Sequence, residues 1–459
     1  MQTHPMQTQL QHMQALPALS LNQRLDRLKA LSKAIKENKQ GIIDAISSDY
    51  GHRASSETLL AEVLVNLEDI KHTIKHLPRW VKANKWTADW KFWPSRCAII
   101  PEAKGVVGIM APWNYPFNLV TGPLTAAIAA GNRVMIKPSE VTPNTAQLIQ
   151  SLMADIFPED EVTVILGDVA VADEFSRLAF DHLLFTGSTR VGKIIMRNAA
   201  ENLTPVTLEL GGKSPVLIDR DYSLDKAAKS IAKGKWFNAG QTCIAPDYVL
   251  IEANRIAPLI KALKKHTISA YPSMTGSNDD YSCVVNTQHF ERLQGLLKQL
   301  PKEQIIELYP DPQNHTNRMA PVIVNNPDKQ QELMQEEIFG PILPIVAVQD
   351  LDDAIDYINQ GDKPLTLYLF SNRRTTIRQV RQLTSSGSLA VNETLVHFAQ
   401  QRLPFGGIGA SGMGSYHGHQ GFITMSHMKS VYYQSRLNGN DLVRAPFTKL
   451  KKKIINWMS

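Results

Sequence analysis

Three side chains of this 459-residue chain could carry covalent chemistry if the fold brought them together: a thiol, a carboxylate and an amide. The thiol is Cys243, in the stretch Phe237-Asn-Ala-Gly-Gln-Thr-Cys-Ile-Ala-Pro246 between a predicted helix and the predicted strand Asp-Tyr-Val-Leu-Ile-Glu. Reactive groups tend to sit on connections of this kind, held by a rigid scaffold. A nucleophile also needs a base and a donor for the oxyanion it creates. Glu209, near the end of Val-Thr-Leu-Glu-Leu, is a candidate base, and Asn114, after another predicted strand, a candidate donor. Cys97, before Ala-Ile-Ile, and Cys283, before Val-Val, read as small buried hydrophobes. Three thiols form no disulfide framework and point to a reducing, cytoplasmic compartment.

Two glycine-rich loops invite other chemistries. Gly187-Ser-Thr-Arg-Val-Gly-Lys193 nearly matches a P-loop, but the next residue is Ile194. A branched alkyl group cannot ligate magnesium, which counts against phosphoryl transfer. A glycine-bounded loop opening a helix still suits a phosphate. Gly407-Ile-Gly-Ala-Ser-Gly412 fits G-x-G-x-x-G, yet it follows Leu-Pro-Phe-Gly and not a buried strand. Without the strand–turn–helix context it is not read as a dinucleotide loop. No metal site is expected.

The elements that must position these residues come next. Between Gly105 and Leu210, five short apolar strands alternate with four helices, the pattern of a parallel sheet with helices on both faces. A second series follows, with strands near Ser-Pro-Val-Leu-Ile-Asp, Asp-Tyr-Val-Leu-Ile-Glu, Pro-Val-Ile-Val-Asn, Leu-Pro-Ile-Val-Ala-Val, Leu-Thr-Leu-Tyr-Leu-Phe and Ser-Leu-Ala-Val. The boundary falls near Gly211 and Gly212. Ligands of open parallel sheets bind outside the carboxyl ends of the strands. The residues just beyond those ends, from Ala111 to Asn114, Lys137 to Glu140, Gly167-Asp168 and Gly187 to Gly192, should converge with Glu209 on one edge.

The flanking segments read differently. The start is helical, with capping-box spacing at Ser20 and Gln23 before the stripe Leu25, Leu28, Leu31 and Ile35. It has no secretory pattern. Four of the seven tryptophans, Trp80, Trp86, Trp90 and Trp93, fall in one irregular stretch. That stretch reads equally as an assembly arm or as a wedge packed inside one subunit. Residues 436–459 carry six basic side chains and one acidic, which is five of the six net positive charges of the chain. The near-neutral remainder gives no reason to expect nucleic acid. Within this tail Phe447, Leu450, Ile454, Trp457 and Met458 have helical spacing. The favoured reading is a helix burying that stripe on its own protein or on a dimer mate, and the other a helix lying on an anionic membrane. With 43% apolar and 20% charged residues, the chain is neither disordered nor fibrous, and no apolar run is long enough to span a membrane.

Seven blocks, in order, resemble the aldehyde dehydrogenase family: APWNYPFNL (111–119), IKPSE (136–140), FTGSTRVGK (185–193), LELGGKSP (208–215), NAGQTCIAPDYVL (238–250), EEIFGP (336–341) and PFGGIGASGMG (404–414). The wording of the fifth and the Ser-Gly-Met-Gly-Ser-Tyr-His-Gly that closes the last resemble the shorter, class-three-like branch and its coniferyl aldehyde dehydrogenase subgroup. The resemblance implies an α/β fold with two doubly wound domains and a small bridging, oligomerising element. Its NAD(P)-binding domain would comprise residues 1–80 and 105–210, and its catalytic domain 211–415. The bridging element would comprise 81–104 and 416–440, and the basic amphipathic tail 441–459. The resemblance further implies a homodimer and oxidation of an aldehyde, aromatic or medium-chain, to its acid. Cys243 would be the nucleophile, Asn114 with the Cys243 N–H would hold the oxyanion, and Glu209 would activate water in preference to coenzyme A. For the cofactor, NAD or also NADP, it implies Lys137 and Glu140 at the adenosine ribose with Ser139 beside them. Gly187, Ser188 and Val191 would lie at the pyrophosphate. Glu337 and Phe339 would lie at the nicotinamide end, with Pro112, Trp113 and Gly211 lining the site. His397 and Phe398 are expected to border the substrate tunnel.

Overall fold

The structure is a computed structural model that describes residues 5–274, 279–309 and 317–458. The first four residues of the expected cofactor-binding segment and the last residue of the tail lie outside that range. Ser20 opens the helix Leu21–Glu37 through the capping box expected from its spacing with Gln23, and Leu28, Leu31 and Ile35 are buried. A π-helical turn, Leu59–Leu64, leads into the helix Val65–Trp80. Such turns shift the register of a helix face and often occur at functional sites.

The first large sheet has the order Gly412–Met413, Val206–Leu210, His182–Gly187, Val106–Met110, Arg133–Lys137, Val162–Val164. Its five principal strands are parallel. Every residue of Val106–Met110 and Arg133–Lys137 is buried, as a sheet covered on both faces requires. The helix Asn118–Ala130 is buried along its whole length between this sheet and the N-terminal helices. The second sheet runs Ile305–Glu307, Val322–Asn325, Ile342–Val348, Tyr248–Glu252, Pro215–Ile218, Thr366–Phe370, Ser388–Val391, parallel except at its first pair.

A third, antiparallel sheet joins Asn84–Thr87, Arg96–Ala103 and Ser426–Tyr433. It brings the Trp-rich stretch beside a segment more than three hundred residues away. Trp86, Trp90 and Trp93 are 46%, 67% and 69% exposed, so the stretch is not an interior wedge. The tail helix Lys449–Met458 also departs from the favoured expectation on its own subunit, because none of its residues is buried. Its contacts there are slight: Trp457 lies edge-on to Trp90 at 6.3 Å, and Lys91 Nζ donates to the Met458 carbonyl at 2.9 Å.

The loop Gly407–Gly412 supplies the edge strand that pairs Gly412 with Glu209. Gly412 has φ +138°, and a Cβ there would strike the Leu208 carbonyl oxygen. Glycine is required by this close approach to the strand that carries Glu209.

Candidate active site

Strand ends and two loops enclose a cavity of about 760 Å³. Asn114, Glu209 and Cys243 share its wall with Pro112, Trp113, Gly187, Ser188, Gly211, Glu337 and Phe339. Lys137, Ser139, Glu140 and Val191 are not on that wall. Lys137 and Ser139 are buried at the end of the neighbouring strand, with Lys137 Nζ 2.8 Å from the Pro138 carbonyl and 3.5 Å from Glu140. The N–H of Val191 donates to Ser188 Oγ at 3.4 Å, the N-cap bond of the helix Thr189–Ala200. The expected tunnel pair divides: Phe398 lines the cavity, but His397 does not. The His397 ring instead sits edge-on to Tyr368, with Nε2 3.2 Å from Thr366 Oγ1. Neighbours in an irregular segment need not face the same way.

The Asn114 and Cys243 loops are tied together through backbone groups. The Asn114 carbonyl accepts from Tyr50 Oη at 3.1 Å, Arg53 Nη1 at 2.9 Å and Asn238 Nδ2 at 3.1 Å. Asn114 Nδ2 donates to the Gln241 carbonyl at 3.2 Å, which leaves its second hydrogen for the cavity. Gln241 reaches on to the Cys283 carbonyl and the Val285 N–H. Asn238, Ala239 and Gly240 all have positive φ, at 51°, 50° and 75°. Such a run in non-glycine residues is strained and must be held by its surroundings. Tyr115 Oη, 2.6 Å from Thr242 Oγ1, and the Glu57 carboxylate, which accepts from the Asn238 N–H at 3.1 Å, supply that hold.

Beneath the loops lies a buried ionic layer absent from the sequence reading. Arg53 and Glu62 are both 0% exposed and pair at 3.2 Å, and Glu62 Oε2 accepts from the Asn118 N–H at 2.7 Å. Glu57 also accepts from Ser282 Oγ at 2.6 Å. A signal was present: Glu57 and Glu62 interrupt a stretch patterned as a buried helix.

Desolvation dominates the electrostatics. Burial pushes the Cys243 thiol up, and Glu337 and Glu209 add to the rise while the N–H groups of Cys243 and Ile244 oppose it. Burial alone pushes the Glu209 carboxyl well above the usual range, and neither of its oxygens has a partner. Glu337 is pushed up to about 8, by burial first and then by Asp247, against the Gly212 N–H, Lys213 and Lys235. All three groups favour their neutral forms in this desolvated cavity, so each is a stronger proton acceptor once ionised than a solvated counterpart would be. The Glu337 loop is clamped by Lys213, which bonds Asp247 and the carbonyls of Leu333 and Glu336 at 2.9 and 2.8 Å. Phe339, at φ 48°, meets Trp113 edge-on at 5.3 Å. The remaining wall includes Leu119, Tyr115, Phe398, Phe405 and Tyr416. Among the described residues, no group of three or more His, Cys, Asp or Glu is placed to hold a metal ion.

Beyond the strand ends of the parallel sheet stand a half-buried thiol, an amide and an unpartnered carboxyl. The chain belongs to the aldehyde dehydrogenase family, whose sequence model matches residues 6–431. It is therefore an oxidoreductase that works with NAD(P). It is 43% identical over 443 residues to a "Probable coniferyl aldehyde dehydrogenase" of Pseudomonas aeruginosa, covering 96% of this chain and 92% of that protein. It is 42% identical over 419 residues to the "Aldehyde dehydrogenase, dimeric NADP-preferring" of Rattus norvegicus, covering 91% of each. The solved structure of Staphylococcus aureus AldH in a substrate-bound state superposes with a TM-score of 0.94 at 39% identity, over 100% of both chains.

Proposed function

We propose that this enzyme oxidises an aromatic or medium-chain aldehyde to the carboxylic acid, with Cys243 as nucleophile, Asn114 at the oxyanion and Glu209 as the base for hydrolysis. The observation that carries this reading is the convergence of the three side chains on one cavity wall from distant parts of the chain. The Cys243 sulfur adds to the aldehyde carbon as its proton leaves for a cavity base. The new oxyanion is met by Asn114 Nδ2 and the Cys243 N–H. Each such donor contributes roughly 3–4 kcal/mol to the barrier reduction in comparable sites. Loss of hydride from the same carbon leaves a thioester on Cys243. Glu209 then takes a proton from the water that attacks this thioester, and the acid departs with the thiol restored. A positioned base favours water over a thiol acceptor such as coenzyme A.

The residues present fit a nicotinamide dinucleotide. Glu337 Oε1 and Thr186 Oγ1 are buried, unpartnered and on cavity-lining residues. Gly211 lies so close to Glu337 that a Cβ there would collide with the carboxylate. Gly187 and Ser188 open the helix Thr189–Ala200 beside the cavity, where free N–H groups suit a pyrophosphate. A bound nicotinamide would supply the acceptor for the hydride lost from the substrate carbon. Glu337 would hold its ribose with Phe339 alongside. Lys137 and Glu140, with Ser139 between them, would hold the adenosine ribose. Glu140 repels a 2′-phosphate while Lys137 at 3.5 Å attracts one, which favours NAD and leaves NADP usable.

The apolar and aromatic wall supports a ring or alkyl substrate, and one relative is named for coniferyl aldehyde. The exposed Trp86–Trp93 segment supports a homodimer, as does the word dimeric in the rat relative's name. The three free cysteines support a cytoplasmic setting. No helix of the described residues is long and apolar enough to cross a membrane. A second reading, detoxification of fatty or general aldehydes at a membrane surface, is supported by Leu450 and Trp457, 65% and 78% exposed among lysines. Reduction of NAD and NADP with coniferyl aldehyde, benzaldehyde and straight-chain aldehydes tests the first reading, and Cys243→Ser must abolish it. A solution mass of one subunit would count against the dimer. Vesicle co-sedimentation equal to that of a chain ending at Asn438 would count against the membrane.

A further inference from the structure

We propose that a second cavity, separated from the catalytic one by the ring of His417, binds a small aromatic carboxylate. It measures about 280 Å³ and lies between the end of the helix Val65–Trp80, the loop around Arg402 and the start of the helix Gly418–Thr424. Its wall carries Arg79, Arg402, His72, His76, His417 and His419 and no acidic residue. Neither Arg79 nor Arg402 forms an ion pair among the described residues. Two unpaired guanidiniums facing one polar pocket are an arrangement that an oxyanion satisfies and water only dilutes. The same unbalanced charge shows in the imidazoles. His72 is held below its ordinary value by burial and then by His76, Arg402 and Lys75, and His419 by burial and then by Arg79.

A second, independent observation comes from His417, which lines this cavity. His417 is 8% exposed, and its Nδ1 is buried without a partner. Its backbone has φ 97°, a conformation rare outside glycine, which sets the ring between the two cavities. The ring meets Phe398 and Tyr416 edge-on at 4.6 Å each and stacks with Phe405 at 5.5 Å. All three of those rings line the catalytic cavity.

The flat partner for a ring is Trp80. His76 stacks with it at 6.0 Å and 18°, and His419 lies tilted against it at 5.3 Å. Guanidiniums beside a flat aromatic wall recognise a planar ring bearing a carboxylate, the class of product the catalytic site would release. The assignment of that class rests on the proposed function, whereas the oxyanion site rests on the cavity itself.

The test is calorimetric titration of the full chain with benzoate, inorganic phosphate and benzamide, in the wild type and in Arg79→Gln/Arg402→Gln. Both arginines are exposed, so the variant should keep its fold, checked by circular dichroism, and Arg402→Gln alone serves as a milder second variant. Benzoate is expected to bind, benzamide to bind much more weakly, and the double variant to lose at least about tenfold in affinity for benzoate. Equal benzoate affinity in wild type and double variant, equal affinity for benzoate and benzamide, or no benzoate binding would overturn the site. Phosphate binding tighter than benzoate, with the same dependence on the arginines, would keep the oxyanion site and overturn the aromatic carrier. The measurement reads binding and not turnover, so failure of the aldehyde chemistry would leave it unaffected.

Discussion

Replacing Glu209 by Gln separates the two halves of the proposed chemistry. The substitution preserves volume and removes the only ionisable atoms of the side chain. Both Glu209 oxygens lack a protein partner, so no neighbouring group is already bonded there to take over the proton. General-base assistance is worth about 10²–10⁴ in rate, or roughly 3–5 kcal/mol, and hydrolysis of the thioester should slow by that factor. The attack step should not slow. Glu209 is one of the acidic groups that push the Cys243 thiol up, so its removal makes the thiolate easier to form. Rapid mixing with NAD and benzaldehyde, followed by absorbance of the reduced nicotinamide, should show a burst of about one equivalent per site and then slow turnover. The thioester should accumulate on Cys243 and be trapped by acid quench and mass measurement. Steady turnover at the wild-type rate would refute the role of Glu209. Loss of the burst together with the steady rate would show that Glu209 acts on the thiol and not on the water.

Three further outcomes follow from groups that burial perturbs. Glu337, pushed up to about 8, must be ionised to accept bonds at both oxygens, so KM for the cofactor should rise as pH falls from about 9 to about 7. Glu337→Gln should flatten that profile, and an unchanged profile would exclude Glu337 from cofactor binding. Asp69 is buried with an unpartnered Oδ1, and burial raises its carboxyl from 3.8 to about 7. Below about pH 4 it is protonated folded and unfolded; between there and 7 the unfolded chain ionises first, so its contribution to stability is lost as pH rises through the folded value. Asp69→Asn should therefore stabilise by roughly 2–4 kcal/mol at pH 8 and hardly at all at pH 4; thermal melts with equal shifts at both would contradict this. Arg53→Met leaves Glu62 buried without its 3.2 Å partner and releases the Asn114 carbonyl, at a cost of about 3–5 kcal/mol. Glu62→Gln added to it should recover part of that loss in denaturant titrations, and no recovery would mean the pair is not coupled.

The constellation of Cys243, Asn114 and Glu209 was legible because it needs little more than topology. Strands of alternating α/β character form a parallel sheet, and their carboxyl ends meet at one edge whatever the details of packing. The tail and the Trp-rich stretch were less legible. Apolar periodicity says which side of an element avoids water but not what covers it, and the structure leaves Trp90, Trp93 and Trp457 largely uncovered on their own subunit. His397 failed as a wall residue for a related reason, since an irregular segment has no period from which to read a direction.

The amino-acid sequence alone determined the two alternating sheets, the cap at Ser20, the thiol of Cys243 on its loop and the charge concentrated in the last 24 residues, because each depends on neighbours along the chain. Tertiary structure alone decided the buried Arg53–Glu62 layer, the strained turn at Asn238 and Ala239, the pairing of Gly412 with Glu209 and the aromatic partition at His417. Each of these joins segments separated by up to about two hundred residues or rests on desolvation, and neither the distance between remote side chains nor the water excluded around them is written in local sequence pattern.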